Sequence, residues 1–281
     1  MKNFNAIHQL TSQSHSQMMS YIIETKDGKI IVIDGGCRCD AAYLLNYVKN
    51  LTGGKACIDA WILTHIHADH TGAIIEAYEN HKSEFFSERI YYNFPPIEFF
   101  VQHEEIYSAD GFEFEKRKKE MDPVTQILRE NDILNFGEAV FEVLYVPDFT
   151  VTSNFINNTS VILKMSISGQ SMIFLGDLGV EGGDILLKKH RGELKADFVQ
   201  MAHHGQSGVS FDVYQAIDPK VCFWDTPLWL WNNDAGSGYD THIWKTFEVR
   251  GWMEKLGVNT HFVTKDGTHR VELPFEPKNI L

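Results

Sequence analysis

One order of elements occurs twice along the chain, and it restricts the fold more than any other feature. In the first half, Tyr21-Ile22-Ile23-Glu24-Thr25 and Lys29-Ile30-Ile31-Val32-Ile33 flank Asp27-Gly28, a strong hairpin signal. The returning strand ends at Asp34-Gly35-Gly36. Asp40 then caps a helix that places Leu44, Val48 and Leu51 on one face and stops at Gly53-Gly54. A strand over 57–63 follows and leads to His65. In the second half, residues 160–165 and 171–175 flank Ser168-Gly169-Gln170, and the returning strand ends at Gly176-Asp177. A helix covers about 181–190, and a strand over 196–202 ends at His203-His204-Gly205. Each half thus reads hairpin, acidic residue, helix, strand, histidine. Two such units bury their sheet faces by packing sheet against sheet with helices outside. The expected class is α/β, with strand ends of both halves meeting at one edge. Residues 1–281 read as one domain, with a first half of about 1–140, a helical insertion at about 80–135, and a second half of about 141–281.

The apolar run 58–64 delivers the chain into His65-Ile66-His67-Ala68-Asp69-His70, which is dense in metal-binding side chains. In an extended segment side chains two apart share a face, so His65 and His67 can address one ion. Asp69 and His70 lie past the bend, where Thr71-Gly72 opens into a helix, and can reach a second ion nearby. Imidazoles with a carboxylate suit zinc, or manganese or iron where oxygen donors increase. Loop histidines in solvent are the plainer alternative, which suits one or two such residues but not this density. The scattered His8, His15, His81 and His103 are read as surface residues.

Between the halves, 80–135 is irregular. A strand at 89–94 is broken by Pro95-Pro96, and a charged helix follows at about 112–120. A second helix is expected from Asp122 as N-cap and Pro123 at the first helical position, running to about Glu130. The run 115–120 reads as a solvated helix face. Beyond the last histidines, 223–231 is rich in aromatics, and Tyr239, His242 and Trp244 follow. Trp229 and Trp231 can hold a cationic substrate group, or build core or a homodimer contact. Residues 232–238 read as a loop near the site.

The formal net charge of −13 repels a polyanion, so nucleic acid is a poor partner and a small-molecule substrate a better one. No stretch approaches the roughly 20 apolar residues of a membrane span, and the N-terminus lacks the apolar core of a secretory signal. Cys37, Cys39, Cys57 and Cys222 show neither a disulfide framework nor paired zinc spacing. A reduced, cytoplasmic protein is the expectation.

The His65/His67/Asp69/His70 group, followed by Gly176-Asp177 and then His203-His204-Gly205, resembles the metallo-β-lactamase-fold hydrolases. The resemblance covers nearly the whole chain, including Asp34 at an early strand end and a closing helix and hairpin around 256–273. It implies a four-layered αβ/βα sandwich, in agreement with the two-half reading. It also implies two divalent metal ions, zinc first, with manganese or iron as alternatives. His65 and His67 would hold one ion. Asp69 and His70 would hold the other, with a histidine of the 203–204 pair, and Asp177 would bridge them. His203 is preferred as that ligand because it directly ends the strand, which leaves His204 to face substrate. Asp34 would fix a histidine tautomer from behind, or cap the Gly35-Gly36 turn.

The chain departs from the family in one respect. Many members place a histidine on a loop before the Ser160 strand, whereas here no histidine occurs between His103 and His190. The segment reads Asn157-Asn158-Thr159-Ser160, which is similar to the branch containing competence-type DNA-uptake proteins and bacterial phosphorylcholine esterases. The chemistry of that branch is phosphodiester cleavage. Asn157 or Asn158 would supply a weak oxygen ligand or bind substrate. The expected function is a metal-dependent hydrolase that uses a metal-bridging hydroxide on a phosphorylcholine-type or nucleotide-type phosphodiester. Asp69 or Asp177 would orient the nucleophile and His204 would assist. The alternatives are hydrolysis of a lactam, lactone or thioester, and a non-catalytic metal-binding effector.

Overall fold

The computed structural model describes residues 2–103 and 108–277. Among them the strands are β1 (Asn5–Gln9), β2 (Ser20–Glu24), β3 (Ile30–Asp34), β4 (Ala56–Ile58), β5 (Ala60–Ile62), β6 (Phe85–Ser87), β7 (Ile90–Tyr92), β8 (Thr125–Ile127), β9 (Ile133–Phe136), β10 (Ala139–Tyr145), β11 (Ile162–Ile167), β12 (Gln170–Phe174), β13 (Phe198–Gln200), β14 (Val221–Trp224), β15 (Thr260–Val263) and β16 (His269–Leu273). The helices are α1 (Ala41–Thr52), α2 (Ala68–Asn80), α3 (Ile97–His103), α4 (Ser108–Met121), α5 (Phe155–Asn158), α6 (Val180–His190), α7 (Phe211–Ile217), α8 (Leu228–Trp231) and α9 (Thr246–Lys255).

Two seven-stranded sheets run β16-β1-β2-β3-β5-β7-β8 and β15-β14-β13-β12-β11-β10-β9. The doubled plan is visible in their pairing. β2 and β3 are antiparallel and β3 then pairs parallel with β5. β11 and β12 are antiparallel and β12 then pairs parallel with β13. Strand periodicity sorts the side chains into layers. Ile31 and Ile33 of β3 pack between the sheets with Phe141, Leu163, Phe174 and Phe223. Ile30 and Val32 point the other way, into a cluster with Leu44 and Val48 of α1 and Ile74 of α2. On the far side, Ile173 and Val199 pack against Leu186 of α6, Val213 of α7 and Met253 of α9. The result is helix, sheet, sheet, helix, the four-layered sandwich that the repeat foretold.

Local chemistry altered three expected elements. The strand at 57–63 is split into β4 and β5, because the Asp59 carboxylate accepts from the Ile30 backbone N–H at 2.8 Å and from Lys29 Nζ at 2.7 Å. That side chain takes a place a ladder partner would occupy. The helix expected over 122–130 is absent. Asp122–Val124 makes one 3₁₀ turn, and β-branched Thr125 and Ile127 continue as edge strand β8 beside β7. His8, expected at the surface, is fully buried between the Tyr47 hydroxyl and the Glu24 carboxylate.

The charged helix does form, as α4, and residues 104–107 before it lie outside the described residues. Arg38 joins Glu76 and Glu79 of α2 to Glu113 of α4. All four cysteines are free. No helix among the described residues is long and apolar enough to cross a membrane.

Candidate metal centre

The loop after β5 and the turn after β13 meet at the same edge of the two sheets. The halves are tied there through the backbone, where the Val161 N–H donates to the Thr64 carbonyl at 3.0 Å; within the second half the His203 N–H donates to the Gly176 carbonyl at 2.9 Å. Asp177 is set by its own N–H, which donates to Ser160 Oγ at 3.0 Å. Gly176 must be glycine: it has φ of 50°, and a Cβ would sit 2.9 Å from Ser160 Oγ.

Two ligand-type groups form. His65, His67 and Asp177 make one, and Asp69, His70 and His204 make the other, the atoms of each lying within 4.8 Å of one another. Asp177 faces both, with its oxygens 3.7 Å from His65 Nε2, 3.3 Å from His70 Nε2 and 3.4 Å from His204 Nε2. In the first group His65 Nε2 and His67 Nδ1 are 3.1 Å apart.

The outward nitrogens of two histidines are committed. His70 Nδ1 donates to Asp34 Oδ2 at 2.7 Å, and Asp34 is itself held by the Thr64 N–H and hydroxyl, both at 2.7 Å. His204 Nδ1 donates to the Asp225 carbonyl at 3.1 Å. Each imidazole therefore aims its Nε2 inward, the atom that offers a metal-ligand lone pair once its proton leaves. Those nitrogens, with Asp69 Oδ2 and Asp177 Oδ1, are buried without a hydrogen-bond partner. Buried polar atoms are ordinarily paired, so converging orphaned nitrogens and carboxylate oxygens fit divalent cations.

The electrostatics agree. Burial opposes charge on His70, but Asp177, Asp34 and Asp69 outweigh it and hold its pKa well above the ordinary imidazole value. His204 is likewise pushed up to about 10, burial being overcome by Asp177 and Asp69. The Asp69 and Asp177 carboxyls are held below the usual range, because the surrounding imidazoles outweigh burial. His65 and His67 go the other way. Burial holds His65 well below 6.5 and brings His67 down to about 4, so both are neutral donors.

The 203–204 pair corrects the sequence reading. His204, not His203, groups with Asp69 and His70. The preference for His203 assumed that strand alternation continues, whereas the backbone turns left-handed at both residues, with φ of 51° and 56°. That turn carries His204 into the buried interior, where it is fully inaccessible. His203 lines the cleft instead, its Nδ1 donating to the Ser207 carbonyl at 2.9 Å and its Nε2 3.9 Å from Asp177. Consecutive left-handed non-glycine residues are strained. Thr226 Oγ1, donating to the His204 carbonyl at 2.5 Å, helps to hold them.

A cleft of about 510 Å³ opens over the two groups, within the range of small-molecule sites. Its described lining contains no lysine or arginine. Gln17, Asn154, Asn157 and Gln206 supply neutral polar groups, Asp110 a carboxylate and Trp244 an aromatic face. The two asparagines separate here. Asn157 lines the cleft with a buried, unpartnered Oδ1. Asn158 Oδ1 accepts from the Gly179 and Gly182 N–H groups, both at 3.0 Å, so it braces the start of α6 and does not face the cleft. The tryptophans also separate. Trp231 packs edge-on against Trp224 beneath Arg250, and Trp229 lies behind Trp244 at 5.0 Å in an adjoining hollow. Asp110 was missed because it comes from the insertion, where it accepts from the Ala68 N–H at the start of α2, at 3.1 Å. No sequence spacing announces that contact.

The family profile described as the Metallo-beta-lactamase superfamily matches residues 16–221. ComE operon protein 3 of Bacillus subtilis is 28% identical over 166 residues, which cover 58% of this chain and 19% of that protein. The chain thus spans only about a fifth of that relative's length. Among solved structures, the metallo-beta-lactamase fold protein YhfI from Bacillus subtilis is similar with a TM-score of 0.56 and 14% identity, covering 95% of this chain and 99% of that one. CmlA beta-hydroxylase is similar with a TM-score of 0.56 and 11% identity, covering 97% of this chain and 55% of that one. These likenesses extend the fold across the whole sandwich, and the family match includes every ligand-type residue described above: the chain belongs to the metallo-beta-lactamase superfamily of hydrolases.

Proposed function

We propose that the chain is a dinuclear metallohydrolase acting on a phosphodiester. The observation that carries the reading is the convergence of the two ligand groups on Asp177, with His70 Nε2, His204 Nε2, Asp69 Oδ2 and Asp177 Oδ1 buried there without a hydrogen-bond partner. His65, His67 and Asp177 would hold one ion, and Asp69, His70, His204 and Asp177 the other. The nitrogen-rich set favours zinc, and the oxygen share leaves room for manganese or iron. When bound, such a pair supplies Lewis acidity and a nucleophile at neutral pH.

The chain's own residues do the rest. Asp34 and the Asp225 carbonyl fix the tautomers of His70 and His204. His203, outside the ligand set, presents Nε2 to the cleft, where it can hydrogen-bond or protonate a leaving oxygen. Gln17, Gln206 and the Asn157 amide offer neutral hydrogen bonds to a substrate, or in the case of Asn157 an oxygen to the first ion. A wall without lysine or arginine suits a monoanionic diester better than a dianionic monoester. The resemblance of the Asn157-to-Ser160 stretch to the competence branch supports the same class.

The test is a panel of chromogenic phosphodiester, phosphomonoester, β-lactam and lactone substrates, assayed with Zn²⁺ or Mn²⁺. Turnover of the diester alone is expected, abolished together with tight metal binding in Asp177→Asn. Turnover of a lactam or lactone in its place overturns the substrate class, and metal binding without any turnover points to an effector.

A further inference from the structure

Helices α2 and α4 pack together, and their acidic side chains fall into two kinds. Every glutamate on them pairs with a lysine or arginine, as Glu76 and Glu113 do with Arg38. The two aspartates, Asp69 and Asp110, have no such partner among the described residues, and both line the metal cleft. Asp69 belongs to a ligand group with His70 and His204, whereas Asp110 belongs to neither group.

Asp110 sits in the first turn of α4 and reaches across to α2, where its Oδ2 accepts from the Ala68 N–H at 3.1 Å. Ala68 also lines the cleft and lies between His67 and Asp69, so this carboxylate stands beside one ligand-type residue of each group. Its Oδ1 accepts no hydrogen bond from any described residue and is open to solvent. Burial, with the Asp69 carboxylate behind it, pushes the Asp110 pKa up to about 6, which leaves the group ionised at neutral pH. Holding a charge half-buried without a counterion is costly. The Ala68 N–H and the partial positive end of α2 offset part of that cost, but neither is a full charge. The described cleft wall has no lysine or arginine to supply one, and the segment 104–107 contains none.

We infer that the substrate carries a primary ammonium group and that Asp110 receives it. The inference rests on the phosphodiester reading of the metal centre and names the class of diester: an aminoalkyl ester, anionic at phosphorus and cationic on its short arm. Asp110 is fixed to the residue that joins the two ligand groups, which places its free oxygen within the same cleft as the phosphoryl group. A primary ammonium donates N–H bonds as well as bringing charge, and an ionised acceptor with an unused oxygen selects for both. A quaternary ammonium brings charge alone. The receptor is thus a carboxylate of the insertion, and not Trp229 or Trp231, neither of which lines the cleft.

Three inert phosphinates test this, because both of their substituents are joined to phosphorus through carbon and cannot be hydrolysed. They are aminopropyl(methyl)phosphinate, its uncharged isostere butyl(methyl)phosphinate, and trimethylammoniopropyl(methyl)phosphinate. Each is titrated calorimetrically into the zinc-loaded full chain at neutral pH. The aminopropyl compound should bind about tenfold tighter than the butyl compound, the lower end for a hydrogen bond to a charged group at an open site. In Asp110→Asn, which keeps an acceptor for the Ala68 N–H, that preference should vanish while the butyl compound binds as before. In the wild type the carboxyl carbon NMR signal of Asp110 should move with the aminopropyl compound and stay with the butyl compound, a reading that needs no variant. Equal affinities in the wild type, tightest binding of the trimethylammonio compound, an unmoved Asp110 signal, or no binding of any of the three overturns the inference. Turnover of propyl para-nitrophenyl phosphate, which has no cation, is measured alongside. That turnover without an aminopropyl preference sinks the Asp110 assignment alone, and the preference without any diester turnover sinks the phosphodiester reading.

Discussion

Asp34→Asn isolates the orientation of one metal-facing histidine from the presence of that histidine. In the native chain Asp34 accepts three hydrogen bonds of 2.7 Å, from His70 Nδ1, the Thr64 N–H and the Thr64 hydroxyl. An asparagine retains one acceptor oxygen and sets an NH₂ group against at least one of these donors. Leaving a buried donor unsatisfied costs about 1–3 kcal/mol, which for a chain of this size lowers Tm by a few degrees. The escape is for His70 to release its Nδ1 proton and carry it on Nε2, the atom that faces Asp177. A protonated Nε2 has no lone pair for a cation. Loss of such an orienting partner reduces metal affinity by about 10–100-fold, or about 1.4–2.7 kcal/mol. The loss should be confined to the ion held by His70, because His65 and His67 make no contact with Asp34. Isothermal titration of the metal-free protein with Zn²⁺, with stoichiometry checked by elemental analysis, should therefore show one weakened site and one unchanged. Two sites of native affinity, or equal loss from both, would refute the tautomer argument.

Further outcomes follow from the same geometry. His204→Ala should lose one ion while His203→Ala keeps both and loses rate, as read by metal content and diesterase assay; the opposite pattern would reinstate His203 as the ligand. His70 and His204 carry raised pKa values, so in the metal-free protein at neutral pH protons compete with metal. Affinity should climb as pH rises toward about 10, with about two protons released on loading, measured calorimetrically in buffers of different ionisation enthalpy. Burial raises the Asp225 carboxyl from 3.8 to about 6. The folded chain therefore keeps that proton to higher pH than the unfolded chain, and stability is full below the lower value and lost as pH rises through the higher one. Relative to wild type, Asp225→Asn should gain roughly 2 kcal/mol between pH 4.5 and 7.5 in urea melts, and an unchanged difference would contradict the assignment.

Much of the fold was readable because both halves repeat one hydrophobic plan. Ile30 to Ile33 and Met172 to Phe174 sort by alternation alone, and Asp27-Gly28 announces its turn. The reading failed where side chains compete with the backbone. Asp59 interrupts a strand, and β-branched Thr125 and Ile127 join a sheet edge that only the tertiary structure provides. Within the site, the spacing of His65, His67, Asp69 and His70 was legible because all four lie in one six-residue stretch, the end of a loop and the first turn of α2. His203 and His204 were transposed because a left-handed turn has no period to read. Asn157 and Asn158 were indistinguishable in sequence, and α6 separates them by drawing Asn158 into its first turn. Asp110, Gln17 and Gln206 reach the cleft from three distant segments, and nothing short of the assembled fold brings them together.

The backbone bond from Val161 to Thr64 has a wider consequence. The loop after β5 and the first turn of α2 supply four of the inward-facing groups and the other half supplies Asp177 and His204, so neither half can assemble the centre alone. Under the proposed assignment, cation binding and docking of the halves would be a single linked equilibrium, in which free metal at a hundred times its dissociation constant would add about 2.7 kcal/mol to the closed sandwich. Starvation for metal would therefore lower the stability of the sandwich as a whole and register as easier proteolysis.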